Sequence, residues 1–222
     1  MMEPAREVGG DLYDFFYHPD GSFCFLVGDV SGKGMPAALF MARTKSLLRL
    51  AAEFMRGADG AQAAPSDVVG RVNRELCQDN PEMMFVTLFL GVLQTETGEV
   101  QYCNAGHNLP YRLRGENLQA VDDTKGFALG IAENATYATG RFSMARGEMV
   151  YLFTDGVTEA TTENDELFTE VRLEAALRSA SQETTSNIVK AIAEAISGFV
   201  GKAPQADDIT AMTIRWSGPI PE

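Results

Sequence analysis

Met84-Phe85-Val86-Thr87-Leu88-Phe89-Leu90-Gly91-Val92-Leu93-Gln94 is a near-continuous apolar run in the middle of the chain. A strand with one solvated face alternates apolar and polar residues. This run does not alternate, so it reads as a strand buried on both faces. Other short extended segments surround it. After it, Thr97-Gly98-Glu99 turns the chain into Val100 to Asn104, and Pro110–Arg114, Tyr137–Phe142 and Met149–Thr154 follow. Before it, Leu12–Tyr17 and Phe23–Val27 flank Pro19-Asp20-Gly21, which is a hairpin signal. A last strand is expected over Ile209–Trp216.

Helical periodicity occupies the gaps. Pro36 opens one helix, with Leu47, Leu50, Ala51 and Phe54 as its expected apolar face and Gly57 as its stop. Ser66–Cys77 carries Val68, Val69, Val72 and Leu76 as a stripe. Glu170–Ser179 and Thr185–Val200 follow, the latter with Ile188, Ile192, Ile196 and Phe199. Strands in runs and helices in pairs predict antiparallel sheets with helices packed outside, rather than a parallel βαβ sheet. No repeat, low-complexity run or long linker divides the 222 residues, so a single domain is expected over 1–222.

The formal net charge of −13 disfavours nucleic acid, which needs a cationic face to displace counterions. No stretch approaches the roughly 18 apolar residues of a membrane helix. No secretory signal is visible at Met1-Met2-Glu3-Pro4, and Cys24, Cys77 and Cys103 lack C-x-x-C spacing. The expected compartment is the cytoplasm.

Four acidic corners stand at the ends of expected strands: Glu7-Val8-Gly9-Gly10-Asp11-Leu12-Tyr13-Asp14, Gly28-Asp29-Val30-Ser31-Gly32-Lys33-Gly34, Phe153-Thr154-Asp155-Gly156 and Asp207-Asp208-Ile209-Thr210. Each alone is ordinary turn chemistry. Together they suggest a shared site. Glycine allows close backbone approach, and carboxylates without His or Cys suit hard cations such as Mg²⁺ or Mn²⁺. His18 and His107, the only histidines, lack zinc-ligand spacing. Gly28–Gly34 fails as a P-loop, because only three residues separate Gly28 from Gly32 and Gly34 follows Lys33. Thr154-Asp155-Gly156 has the wrong order for an aspartic protease.

The same blocks carry a resemblance. Pro4-Ala5-Arg6-Glu7-Val8-Gly9-Gly10-Asp11, Gly28 through Leu39, Asn104-Ala105-Gly106-His107, Thr154 through Ala160 and Asp207-Asp208-Ile209-Thr210 resemble, in order, the signature blocks of the SpoIIE-like phosphatases. These are the bacterial branch of the metal-dependent PPM serine/threonine protein phosphatases. The resemblance implies an α+β fold, a β-sandwich of two antiparallel sheets flanked by helices in four αββα layers. It implies two divalent cations, Mn²⁺ or Mg²⁺, at one end of the sandwich, holding a bridging water that hydrolyses a phosphoserine or phosphothreonine. Carried over, Asp29 would bridge the cations and the Val30 carbonyl would add a ligand. Asp155 and Asp207 would complete the pair, with Asp29 and Asp155 the catalytic residues. Asp11 would bind directly or through water, and Asp208 matches a position that more often supports the ligands. Arg6 could reach a phosphate, and His107 could act as an acid or merely hold its turn.

The family usually has a further strand and a linker helix before the first block, which leaves one sheet edge open. The resemblance also implies the C-terminal part of a longer regulated protein, with dimerisation through upstream segments. Its implied substrate is a phosphorylated STAS-type anti-sigma factor antagonist. A non-catalytic partner-binding module on the same fold, or a calcium-stabilised acidic β domain, are the alternatives. The helix after Pro36 follows directly on the Gly28–Gly34 corner, so a shift of that helix would move Asp29 and Val30.

Overall fold

A computed structural model of the chain describes residues 1–55, 62–122, 124 and 126–219. Gly57, the expected helix stop, lies outside them. The elements are β1 (Met2–Glu3), β2 (Leu12–Tyr17), β3 (Phe23–Val30), α1 (Met35–Phe54), α2 (Pro65–Cys77), β4 (Val86–Leu93), β5 (Glu99–Ala105), β6 (Tyr111–Arg114), β7 (Asn117–Ala120), β8 (Gly140–Ser143), β9 (Met149–Phe153), α3 (Asp155–Thr158), α4 (Thr169–Ser179), α5 (Thr185–Val200) and β10 (Ile209–Arg215). One sheet runs β1-β10-β9-β6-β7 and the other β2-β3-β4-β5-β8. Every strand pair is antiparallel.

The double burial of β4 has a direct cause. Leu88, Leu90 and Val92 point to the core under α1 and α2, with Cys24 and Leu26 of β3. Phe89 and Leu93 point the other way, with Phe25 and Val27, into the space between the sheets. There they meet Val100, Tyr102, Val150 and Leu152. Phe25, Phe89 and Tyr102 stack in a row, with centroids 6.4 and 5.3 Å apart. Gly91 makes room for that row, since a Cβ there would lie 2.3 Å from the Phe25 ring. On the far side, Tyr151 and Phe153 of β9 pack with Leu173, Leu177, Ile188, Ile192 and Ile196 of α4 and α5. The layers are therefore helices, sheet, sheet, helices, as expected for a four-layer sandwich.

The β2–β3 hairpin closes at Gly21, whose φ of 84° suits glycine, while the Asp20 carboxylate accepts from the Ser22 N–H at 2.9 Å. The sheet edge left open by the sequence is filled by Met2–Glu3, which pair with Thr210 and Ile209 of β10.

One expectation is corrected. The buried face of α1 is Ala37, Phe40, Thr44, Leu48 and Ala52. Leu47 and Ala51 are half-buried beside it, whereas Leu50 and Phe54 are 56% and 67% exposed. Apolar residues surround most of this helix, so periodicity alone does not choose among faces 100° apart. Packing on β3 and α2 chooses, and Arg43 fixes the rotation by donating to the Glu75 and Gln78 carbonyls at 2.6 and 3.2 Å.

Candidate metal centre

All four acidic corners meet at one end of the sandwich. β3 delivers Asp29 and Val30 as its last residues, with Gly28 paired to Leu12. β2 begins one residue after Asp11. β9 ends at Phe153, and Thr154 then leads into α3, a single turn that starts at Asp155. β10 begins just after Asp207 and Asp208. Since the two sheets contribute two corners each, the cluster spans the sandwich.

Bonds between the sheets lock these corners. The Thr154 hydroxyl donates to Asp11 Oδ2 at 2.8 Å and accepts the Thr210 N–H at 3.0 Å. Both Asp208 oxygens are engaged by backbone: Oδ1 accepts from Ala5 N at 2.8 Å, and Oδ2 from Gly10 N at 2.6 Å and Asp11 N at 3.4 Å. Glycine is needed where the backbones touch. A Cβ on Gly10 would stand 2.9 Å from the Val30 carbonyl oxygen, and one on Gly156 only 2.0 Å from the Asp208 carbonyl oxygen.

The electrostatics are those of an anionic cluster short of positive charge. Burial, then Asp208, pushes the Asp11 carboxyl up to about 7 despite the Thr154 bond. Burial is also the main cause for Asp29, which the charges of Asp11, Asp155 and Asp207 help push up to about 8. Burial and Asp207 raise Asp155 as well. Carboxyls held this far above their ordinary range want either protons or cations. The donor set is all oxygen, partly buried, and framed by glycines that let a main-chain carbonyl approach, which fits Mg²⁺ or Mn²⁺. Among the described residues, no three acidic, thiol or imidazole side chains yet stand around one point at ligand distance.

A pH dependence follows. Asp11 and Asp29 bind protons more tightly folded than unfolded, so they stabilise the metal-free fold fully below about pH 4. That stabilisation is lost as pH rises through 7 and 8. In chelator, the melting temperature is expected to fall between pH 5 and pH 8 from this contribution, and saturating Mn²⁺ should remove the fall. Calorimetric melts at several pH values, with and without Mn²⁺, check this. A metal-free melting temperature that rises steadily to pH 8 would contradict it.

The remaining sequence candidates separate. Arg6 is exposed on the loop before Gly9 and makes no ion pair among the described residues. His107 is buried, and burial pushes its imidazole down to about 4, so it is neutral at pH 7. Its backbone N–H donates to Asn104 Oδ1 at 2.8 Å, and its ring Nδ1 lies 2.9 Å from the Thr87 hydroxyl. Thr87 in turn is the register partner of Asp29. Two further residues join the cluster without having been assigned from sequence. Thr154 is one. Lys33 is the other, with Nζ 2.8 Å from Asp207 Oδ2. Both lie inside the quoted blocks, but their partners are far away along the chain.

A two-sheet sandwich with an acidic end of this kind is the fold of the PP2C-type phosphatase domain. The SiaA PP2C domain of Pseudomonas aeruginosa superposes with a TM-score of 0.84 at 22% identity, over 97% of this chain and 84% of that one. The PP2C domain of SpoIIE from Bacillus subtilis gives 0.80 at 16% identity, over 96% and 61%. The family model for stage II sporulation protein E (SpoIIE) matches residues 19–217, and the chain belongs to that family. It is 32% identical to protein IcfG of Synechocystis sp. over 96% of its length, and 32% identical to the phosphoserine phosphatase RsbU of Bacillus subtilis over 72%. It spans 37% and 46% of those two relatives, less than half of each. Among the described residues, no helix is long and apolar enough to cross a membrane.

Proposed function

We propose that this domain is a Mn²⁺- or Mg²⁺-dependent phosphatase that hydrolyses phosphoserine or phosphothreonine on a small folded regulator. The observation carrying the reading is the convergence of Asp11, Asp29, Asp155 and Asp207, with two of these carboxyls pushed to about 7 and 8. Family membership and the RsbU relative support the chemistry. In this reading Asp29, the Val30 carbonyl, Asp11, Asp155 and Asp207 would hold the cations. When bound, the cations supply charge neutralisation for the phosphoryl oxygens and a lowered pKa for water.

The other residues hold this frame. Asp208 spends both oxygens on Ala5, Gly10 and Asp11 and so positions the Asp11 loop rather than gripping an ion. His107, neutral and enclosed, positions Thr87 beside Asp29. Arg6, exposed at the rim, is available to the phosphoryl group. Water is the nucleophile: the Thr154 hydroxyl beside the cluster is fully buried and is spent on a hydrogen bond to Asp11 Oδ2. The P–O bond to the substrate oxygen breaks, and that oxygen takes a proton from solvent.

The resemblance extends the proposal to a phosphorylated STAS-type anti-sigma factor antagonist as substrate, and to a role as the regulated part of a longer cytoplasmic protein. The relatives' greater length supports the second point. A cluster open at the sandwich end suits a phosphoserine on a protein surface, where most binding area lies outside the phosphate. The test uses a folded phosphorylated antagonist and a short peptide with the same phosphoserine. Release of phosphate is expected with Mn²⁺, none with excess chelator, and kcat/KM for the folded substrate at least about 10-fold above the peptide. Equal turnover in chelator would overturn the metal mechanism, and equal constants for both substrates would overturn recognition of a folded partner. A protein that binds Mn²⁺ and the antagonist without turnover would mark a binding module instead.

A further inference from the structure

One cation of the chain itself already lies against the acidic cluster. Lys33 sits in the turn between β3 and α1, three residues after Val30. Its ammonium donates to the Ala206 carbonyl at 2.6 Å and pairs with Asp207 Oδ2 at 2.8 Å. Among the described residues it is the only basic side chain paired with any of Asp11, Asp29, Asp155 and Asp207. Its charge also works against the upward shifts of Asp155 and Glu159, so its field covers that whole side of the cluster.

Two features make this contact breakable. The side chains of Lys33 and Asp207 are 37% and 40% exposed, so water competes for both and the pair is weakly held. Lys33 also lies between Gly32 and Gly34, at φ 85° and 78°, and a Cβ at either position would meet nothing within 4 Å. The turn is thus open on the side that a Cβ would take at both glycines. Asp207 Oδ2 is taken by Lys33, while Oδ1 accepts the Asp208 N–H at 2.8 Å.

We propose that Lys33 is a built-in counter-ion that occupies the Asp207 side of the cluster in the metal-free protein and must be displaced when a divalent cation binds there. The inference rests on the metal-centre reading above. It makes Lys33 a competitor that sets how much Mn²⁺ or Mg²⁺ the domain needs, and it gives the turn before α1 a role in that requirement. Lys33 is a positioning residue, acting through Asp207.

The test is direct binding, independent of turnover. Mn²⁺ titrations by calorimetry at fixed pH and salt would compare wild type, K33M and K33R. If Lys33 competes, K33M should bind Mn²⁺ about three- to tenfold more tightly at one site, from loss of an exposed ion pair and of a nearby positive charge. K33R, which keeps the charge and can hold Asp207 through two N–H groups, should bind no more tightly than wild type. In parallel, the acetylation rate of Lys33, read by mass spectrometry, should rise when Mn²⁺ is added to wild type, because the ammonium is released to solvent. Unchanged or weaker binding in K33M, or slower acetylation of Lys33 with Mn²⁺, would overturn the inference while leaving the metal centre intact. A wild type that takes up no Mn²⁺ at all would overturn both.

Discussion

Asp29→Asn is expected to lower phosphatase turnover by roughly 10³-fold or more while raising the melting temperature of the metal-free protein at pH 8. Asp29 ends β3 among Asp11, Asp155 and Asp207, and its carboxyl titrates at about 8, first because of burial and then because of those charges. At that pH ionisation places a repelled, largely buried anion there. Asn has the same shape and no charge, so the substitution relieves both costs in the metal-free fold. It also removes the carboxylate on which the charges of Asp11, Asp155 and Asp207 all act. Activity lost together with stability gained separates a chemical role from a structural one. Steady-state kinetics with Mn²⁺ and calorimetric melts in chelator check the pair of outcomes. Turnover within tenfold of wild type, or a variant that melts well below wild type in chelator, would refute the assignment.

Most of the fold was legible because the relevant signals are local. Leu12–Tyr17 and Thr185–Val200 match β2 and α5 residue for residue. The unbroken apolar run of β4 reported a strand between two cores. What escaped has a physical reason in each case. β7, Asn117–Ala120, is four mostly exposed residues long, and its partner is β6. α3 is one turn long, too short to show a period. The Leu50 and Phe54 face of α1 looked buried because apolar residues lie nearly all around that helix, and only packing picks the side.

The candidate site divides in the same way. Gly–Asp corners at strand ends are visible along the chain, so the acidic cluster could be read from them. Adjacent Asp207 and Asp208 cannot be told apart by sequence. The structure separates them by partner: Asp208 accepts backbone N–H groups about 200 residues away in the chain, and Asp207 meets Lys33. Thr154 gives no local sign of its bond to Asp11, because that partner is 143 residues distant. Hydrogen bonds across the sandwich are set by topology, which single corners do not encode.

Gly156 tests that topology. It follows Asp155 in the first turn of α3, and a Cβ there would lie 2.0 Å from the Asp208 carbonyl oxygen and 2.9 Å from its carbon. Both are main-chain atoms at the start of β10, so no side-chain rotation relieves the clash. Ala at this position must push the Asp155 turn away from the Asp207–Asp208 corner. Overpacking of this kind costs about 1–3 kcal/mol, or roughly 2–10 °C in melting temperature for a domain of this size. The same displacement separates Asp155 from Asp207, so Mn²⁺ binding should weaken by about tenfold or more, given that ligand placement governs such sites. Gly198→Ala is the matched control. Gly198 is an exposed position in α5 where a Cβ meets nothing within 4 Å. There Ala should stabilise by about 0.5–1 kcal/mol and leave Mn²⁺ affinity unchanged, since it only removes helix flexibility. Melts and Mn²⁺ titrations on both variants decide the point. If Gly156→Ala matched Gly198→Ala in either measurement, the contact between α3 and β10 would not be what holds the two acidic corners together.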